Sequence, residues 1–545
     1  MDVTEHVRRA RAAYSACQWG TARAQLQGAL DAGSHALGPD DLTLLAMCEW
    51  WLGDLPAAVR RAEDAFRLQV AAGRRQAAAR GALDLALISY SAGDPGLGSA
   101  WFARARRVLA GQERSVAGGY LLYASAIARL EADEELAADR DDAAAGAARL
   151  SALADELGDP VLHTLAQVVS GLAAVLHGRV GHGFDLLDEA MLAAVAGDLP
   201  ALWAGDVYCS VLHLCEGLGD LGRMRRWTQA MERWASPLSR AFTYYGVSRV
   251  HRLQLSSAEG DWDRVEAELG EHSRRLAPAH GWVAGEGFRE LGDVRRLRGD
   301  AAGATTAYAA ARQLGIDPQP GPALLTAAAG DAPAALAQIH DTLATRRRFE
   351  GSRQLLAGVQ LAVQVGSRTE ASTFTERLAA IAAHYDSPGL HARTAHARGM
   401  LALASGQPAQ ALDQLGTALE VYRQQRYRYG VAVVRELLAA AHQARADHAA
   451  ARADRAAALA VYRALGARPD VARLNGTARA PGGLTGREVQ VLAAISTGAS
   501  NRQVAQELVL SEKTVSRHLA NIYRKLDVTS RTAAAAWARR HGVGG

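Results

Sequence analysis

A helix-breaking step, most often written Gly-Asp, returns about every 40 residues along the first 470 positions, and this spacing limits the folds open to the chain. The clear steps are Gly53-Asp54, Gly93-Asp94, Gly219-Asp220, Gly260-Asp261, Gly299-Asp300 and Gly330-Asp331. Weaker ones stand at Gly20, Gly178, Gly366, Gly406 and Ala446-Asp447, with an acidic stretch near Glu131–Asp139 in the gap between 93 and 178. Glycine ends a helix because it enters the left-handed region without a Cβ penalty. The aspartate that follows can open the next helix by accepting its free backbone N–H groups. Ala-rich segments follow the steps, as in DLPAAVRRAEDAFRL after Gly53, and small residues let paired helices approach closely. Each hairpin leaves an apolar face that only its neighbours can cover, so a long all-α solenoid of stacked helical hairpins is expected.

The segments resemble tetratricopeptide-like repeats, with a period longer than the usual 34 and only part of that family's consensus. The resemblance implies a concave surface able to hold a partner protein, a peptide or a small effector. Trp50, Trp51, Trp101, Trp203, Trp227, Trp234 and Trp262 recur at helical positions and are expected to pack between repeats. The four cysteines, Cys17, Cys48, Cys209 and Cys215, form no CxxC pair and are expected to be small buried hydrophobes. Cys209 and His213 share a helix face, but no fourth ligand completes a metal set, so no metal or cofactor is expected. The chain has no run of 18 apolar residues, and its first residues, MDVTEHVRRARAAYSA, lack the pattern of a secretory leader. The cytoplasm is the expected compartment.

Charge is distributed unevenly. Residues 484–545 hold nine basic residues against four acidic ones, while the rest of the chain holds 52 against 53. The basic excess is therefore confined to the tail, where the only two lysines, Lys513 and Lys525, also lie. A small basic domain on a near-neutral body is the electrostatic footprint of a nucleic-acid reader.

Helix-start signals in this tail are dense. NGTARAPGG (Asn475–Gly483) reads as a linker. Thr485 with Glu488 and Ser500 with Gln503 have capping-box spacing, so helices are predicted from there to about Thr497 and Leu508. Ser511 is the predicted cap of a third helix, 512–526, and Thr529 or Ser530 of a fourth that ends near Arg540. Only VLS separates the second and third helices, which forces a sharp corner, and Ala505 suits the close approach there. Val515, Leu519, Ile522 and Leu526 form an apolar stripe on the third helix, and the opposite side is basic and hydrogen-bonding. Such a helix fits the DNA major groove.

From Leu484 to Gly542 the chain resembles the DNA-binding domain of the LuxR family (the NarL/FixJ type). The match is carried by Leu484-Thr485, Arg487-Glu488, Val491-Leu492, Gly498, Ser500-Asn501, Ala505, Leu508, Ser511, Thr514-Val515, His518, Asn521-Ile522, Lys525-Leu526, Val528 and Ser530-Arg531. The resemblance implies a four-helix helix-turn-helix domain over 484–545, after a 471–483 linker and a 1–470 repeat solenoid. It implies that Ser516, Arg517 and Ala520 face base edges, and that Lys513, Thr514, Asn521, Arg524 and Lys525 meet phosphates. Ser516 departs from the lysine frequent in the family; Arg517 beside it supplies charge and is expected to pair bidentately with guanine. Double-stranded promoter DNA, a homodimer on that DNA built with Ala533–Ala536 and Trp537, and RNA polymerase as a further candidate are the implied partners. No GxxxxGK[ST], HExxH or GxSxG motif occurs, so an enzyme is not expected. The expected function is a sequence-specific transcriptional regulator, with the solenoid as sensor or partner scaffold. The alternative is an adaptor whose C-terminal domain docks on another regulator.

Overall fold

At every clear Gly-Asp step the glycine turns left-handed, with φ between 71° and 105°. In the computed structural model, which describes residues 3–31, 37–131, 137–235, 243–345, 349–475, 481–508, 510–541 and 543, a helix starts immediately after each step. Asp54, Asp94, Asp220, Asp300 and Asp331 each accept the backbone N–H three residues on, at 2.9–3.2 Å. Asp261 is the exception and makes no such bond. The steps lie inside hairpins, so one marks each repeat. The first 24 helices, from Val3–Ser15 to His448–Leu465, pack as twelve consecutive helical hairpins, followed by the short helix Arg468–Leu474. That helix runs past the boundary expected at 470. The expected linker falls largely on 476–480, and the middle of the acidic stretch on 132–136, both outside the described residues.

Two expectations are corrected. The first break is at Cys17 (φ 57°), whereas Gly20 lies within the helix Trp19–Asp31. Cys17 is therefore exposed in a turn; the other three cysteines are buried as expected. Connections between hairpins also pass through the left-handed region, at Asp386 and Arg426 without glycine, so the Gly-Asp signature does not mark them.

The solenoid winds tightly enough for its successive turns to touch. His384 Nε2 lies 3.2 Å from the carbonyl of Leu176, Arg393 Nη1 donates to the carbonyl of Gly217 at 3.1 Å, and Arg225 Nη2 to that of Gln425 at 3.2 Å. These partners are 208, 176 and 200 positions apart in sequence. Gly205 is what lets Tyr244 lie flat on its helix, since a Cβ there would fall 1.8 Å from the ring. One apolar cluster draws on residues from Trp50 to Leu474, beside separate clusters over 323–400 and 392–441. Trp50 meets Tyr244 edge-on at 5.9 Å, and Tyr123 meets Trp203 at 5.7 Å. Trp50, Trp51, Trp101, Trp203 and Trp262 are buried, and Trp227 and Trp234 half-buried against the same core, as packing residues should be. Cys209 lies 3.5 Å from His280 rather than on His213, which packs edge-on against Trp282. Among the described residues no helix is long and apolar enough to cross a membrane.

Candidate nucleic-acid interface

The last four helices close a separate core of Leu484, Val491, Leu492, Ile495, Val504, Val515, Leu519, Ile522, Ala534 and Ala538. Their ends are set by side-chain caps. Thr485 Oγ1 accepts from the N–H of Glu488 at 3.3 Å, and the Glu488 carboxylate accepts from the N–H of Thr485 at 2.6 Å. This reciprocal box opens Gly486–Ser496. Ser500 and Gln503 make the same pair of bonds, at 3.3 and 2.7 Å, and open Asn501–Glu507. Ser511 caps the recognition helix, Glu512–Leu526, by accepting from the N–H of Thr514 at 3.1 Å. Ser530, not Thr529, caps Arg531–Arg540. The corner between the second helix and the recognition helix is fastened where the N–H of Leu510 donates to the carbonyl of Ala505 at 2.8 Å.

The recognition helix has two unlike sides. Val515, Leu519 and Ile522 are buried; Leu526, expected to continue that stripe, is half-buried beside Gly482. Lys513, Ser516, Arg517, Ala520 and Arg524 are exposed, and Thr514 and Asn521 are half-buried. No acid among the described residues pairs with Lys513 or Arg517. Arg524 leans along its own helix to donate to Asn521 Oδ1 at 3.1 Å.

Two of the expected DNA-facing residues are tied to other helices of the domain. Lys525 Nζ lies 2.5 Å from the carboxylate of Glu488, so its ammonium is held by the first helix's capping glutamate. Burial opposes charge on Glu488, but Lys525 and the Thr485 N–H outweigh it and hold the carboxyl below its ordinary value. Ser516 donates to the carbonyl of Glu512 at 3.0 Å and accepts from Asn501 Nδ2 at 3.3 Å. Asn501 Oδ1 in turn accepts from Arg531 Nη1 at 2.8 Å, and Arg531 also binds the carbonyl of Ala499. An Arg531–Asn501–Ser516 chain therefore ties the fourth helix and the second to the recognition helix. Arg487 likewise ties the first helix to the carbonyl of Leu508. Asn501, Arg531 and Arg487 belonged to the sequence pattern, but these long-range roles had no local signature.

The arrangement presents a hydrogen-bonding basic side on a helix whose register is fixed by caps and crossties. Residues 483–538 match the model of the family described as bacterial regulatory proteins, luxR family. Over 58 residues the chain is 45% identical to the transcriptional regulatory protein LiaR of Bacillus subtilis, covering 11% of this chain and 28% of that protein. It is 55% identical over 51 residues to the nitrate/nitrite response regulator protein homolog of Haemophilus influenzae, and 51% identical over 51 residues to NarP of Escherichia coli. Each of the latter matches covers 9% of this chain and 24% of the relative. The chain thus spans about a quarter of the length of these relatives. The crystal structure of the APC/C hetero-tetramer Cut9-Hcn1 is similar over 99% of this chain and 96% of that one, at 14% identity and a TM-score of 0.38. The C-terminal domain is a helix-turn-helix domain of the luxR family of bacterial regulatory proteins.

Proposed function

We propose that the chain is a cytoplasmic, non-enzymatic transcriptional regulator that reads promoter DNA as a homodimer, with its solenoid receiving the input. The observation that carries this reading is the exposed, unpaired pair Lys513 and Arg517 on a recognition helix held in register by caps. In the groove Arg517 and Ala520 face base edges, while Lys513, Thr514, Asn521 and Arg524 meet phosphates. Ser516 holds the N-terminal turn of the helix through Asn501, and Lys525 supports the domain through Glu488. The exposed residues Thr532, Arg539 and Arg540 of the fourth helix, with half-buried Ala533, Ala536 and Trp537, provide the dimer contact. RNA polymerase is the further partner of a regulator bound at a promoter.

The test is titration of the full chain against duplexes selected from a random pool, at several salt concentrations. The expected result is enrichment of a near-palindromic site with half-sites about 10 bp apart or a multiple of that. Affinity should fall linearly on a log–log salt plot, with a slope of about −0.9 for each phosphate contact. Absence of salt-sensitive binding to any duplex overturns the reading and leaves the adaptor role.

A further inference from the structure

Three left-handed turns from distant repeats meet where successive turns of the solenoid touch. They are centred on Gly178, Gly219 and Asp386, with φ of 79°, 71° and 40°. The contact runs backbone to backbone. A Cβ on Gly178 would fall 2.6 Å from the carbonyl oxygen of His384, and one on Gly389 would fall 2.4 Å from that of Gly219. Buried Ser387 donates its hydroxyl to the carbonyl of Leu218. Beside these fixed points the joint leaves a cavity of about 520 Å³, lined by residues from 178–184, 218–223 and 386–388. Its volume lies within the range of about 300–1,000 Å³ common for small-molecule sites.

The charged groups that line this cavity are unequally engaged. Asp220 accepts from the N–H of Arg223 at 2.9 Å and from its Nε at 3.4 Å. Arg223 lies over the Phe184 ring at 4.0 Å and pairs through Nη1 with Asp188, which leaves its Nη2 without a hydrogen bond among the described residues. Asp386 Oδ1 lies 2.8 Å from His391 Nε2, and its second oxygen accepts from nothing among the described residues. The side chains of Arg179 and His182 are exposed and have no partner among the described residues. Arg179 stands just before the helix Val180–Ala196, which no side chain caps. The N–H groups of Gly181 and His182 are therefore open as well.

Both acids that line the cavity already hold a basic partner, whereas the guanidinium of Arg179 and one edge of that of Arg223 do not. Unused guanidinium N–H groups select an oxyanion, and their planar fork matches phosphate. The open helix start adds to the same preference. A bare ion would leave most of the volume empty. Leu218 and Pro388 supply apolar surface for a carbon skeleton, and the free oxygen of Asp386 can accept from hydroxyl groups on it.

We propose that this joint binds a small hydroxyl-bearing organic phosphate, with its phosphate on Arg179 and Arg223 Nη2 and its hydroxyls on Asp386. Such a ligand touches segments about 200 positions apart and so fastens one turn of the solenoid to the next. The inference concerns the solenoid alone, and its test involves no DNA, so it and the DNA reading succeed or fail separately.

The experiment is thermal unfolding of the full chain with a panel of sugar phosphates and nucleoside monophosphates, each beside its phosphate-free counterpart, and with inorganic phosphate. Calorimetric titration follows for those that raise Tm. The expected result is saturable binding of at least one organic phosphate at one site per chain, with none by its phosphate-free counterpart. Arg179→Ala should weaken that binding about tenfold or more, the loss of one charged hydrogen bond, and Arg179→Glu should abolish it. Because the Arg179 side chain is exposed and unpaired, neither change should move the unliganded Tm. No binding by any member of the panel overturns the proposal. Equally tight binding of inorganic phosphate, the mark of an ion site only, overturns it too. So does binding that persists undiminished in Arg179→Ala, which would place the phosphate on the DNA-facing helix.

Discussion

The solenoid and the C-terminal domain are built from the same material, short capped helices, yet they hold together differently. In the C-terminal domain every helix start lies on a Ser or Thr cap, and the crossties run between residues at most 37 positions apart. In the solenoid the caps only punctuate the repeats. What closes it are contacts between residues about 200 positions apart, and an interior where aromatic rings from distant repeats pack together. Local signals therefore dictate nearly all of one region and only the grain of the other.

The sharpest way to break the comparison is Arg289→Met. The change leaves the half-buried Glu216 and Glu286 without their buried guanidinium, a loss of about 3 kcal/mol. Denaturant unfolding followed separately by tryptophan fluorescence of the solenoid and by duplex binding should show the solenoid transition move and the DNA affinity of the folded chain stay. Equal loss in both would mean that the two regions unfold as one unit.

Acid should separate them next. Burial lowers His280 to about 3 and His396 to about 4, from an ordinary value of 6.5. The unfolded chain takes up these protons below 6.5 while the folded chain does not. The stabilisation is thus fully present above 6.5 and is lost as pH falls toward 4, by about 1.4 kcal/mol per unit for each histidine. In the C-terminal domain Glu488 shifts in the same direction but in a lower window, its folded value lying below 4.5. Its contribution stays intact down to 4.5 and is lost only below that. Burial raises Asp206 to about 6 and Glu290 to about 7, and both oppose the histidine loss in the same window. Circular dichroism melts from pH 7 to 4 are therefore compared between the unaltered chain and His396→Gln. The unaltered chain should lose about 1.4 kcal/mol more per unit; parallel curves would overturn the assignment.

The same contrast explains what was legible in the sequence. Thr485, Ser500 and Ser511 reach only three residues along the chain, so spacing alone was enough to place them. Gly-Asp steps were legible for the same reason. Cys17, Asp386 and Arg426 were not, because a non-glycine residue in the left-handed region has no compositional mark. The filling of the solenoid interior was invisible too. Nothing near Trp50 announces Tyr244, which meets it only through the packing of distant repeats. In the DNA-facing set one long-range contact was hidden for the same reason. Lys525 looks like any basic residue at the end of a recognition helix until Glu488 is folded against it.

Lys525→Ala sharpens that point within the C-terminal domain. Glu488 loses its one nearby cation among the described residues while its carboxylate stays buried, so the domain should be destabilised by roughly 1–2 kcal/mol. The salt slope of DNA binding should stay unchanged, because Glu488 already pairs with this ammonium in the free chain. Urea unfolding of the domain and a salt titration read the two quantities; a shallower slope with unchanged stability would return Lys525 to the phosphate set.

Arg517→Ala is the smallest perturbation to folding and the most direct to function. The side chain is exposed and has no acidic partner, so stability should stay within about 0.5 kcal/mol. Specific binding should nevertheless lose about 1–3 kcal/mol, with discrimination relaxed at one base pair of each half-site, because a bidentate guanidinium–guanine contact is removed. Non-specific binding loses only the weaker attraction of one surface charge. Competition assays with the selected site and with a scrambled duplex separate the two effects. An equal loss on both would move Arg517 from the base edges to the phosphates, leaving Ala520 and the tethered Ser516 as the groups nearest the bases on a helix that then selects sequence mainly through DNA shape.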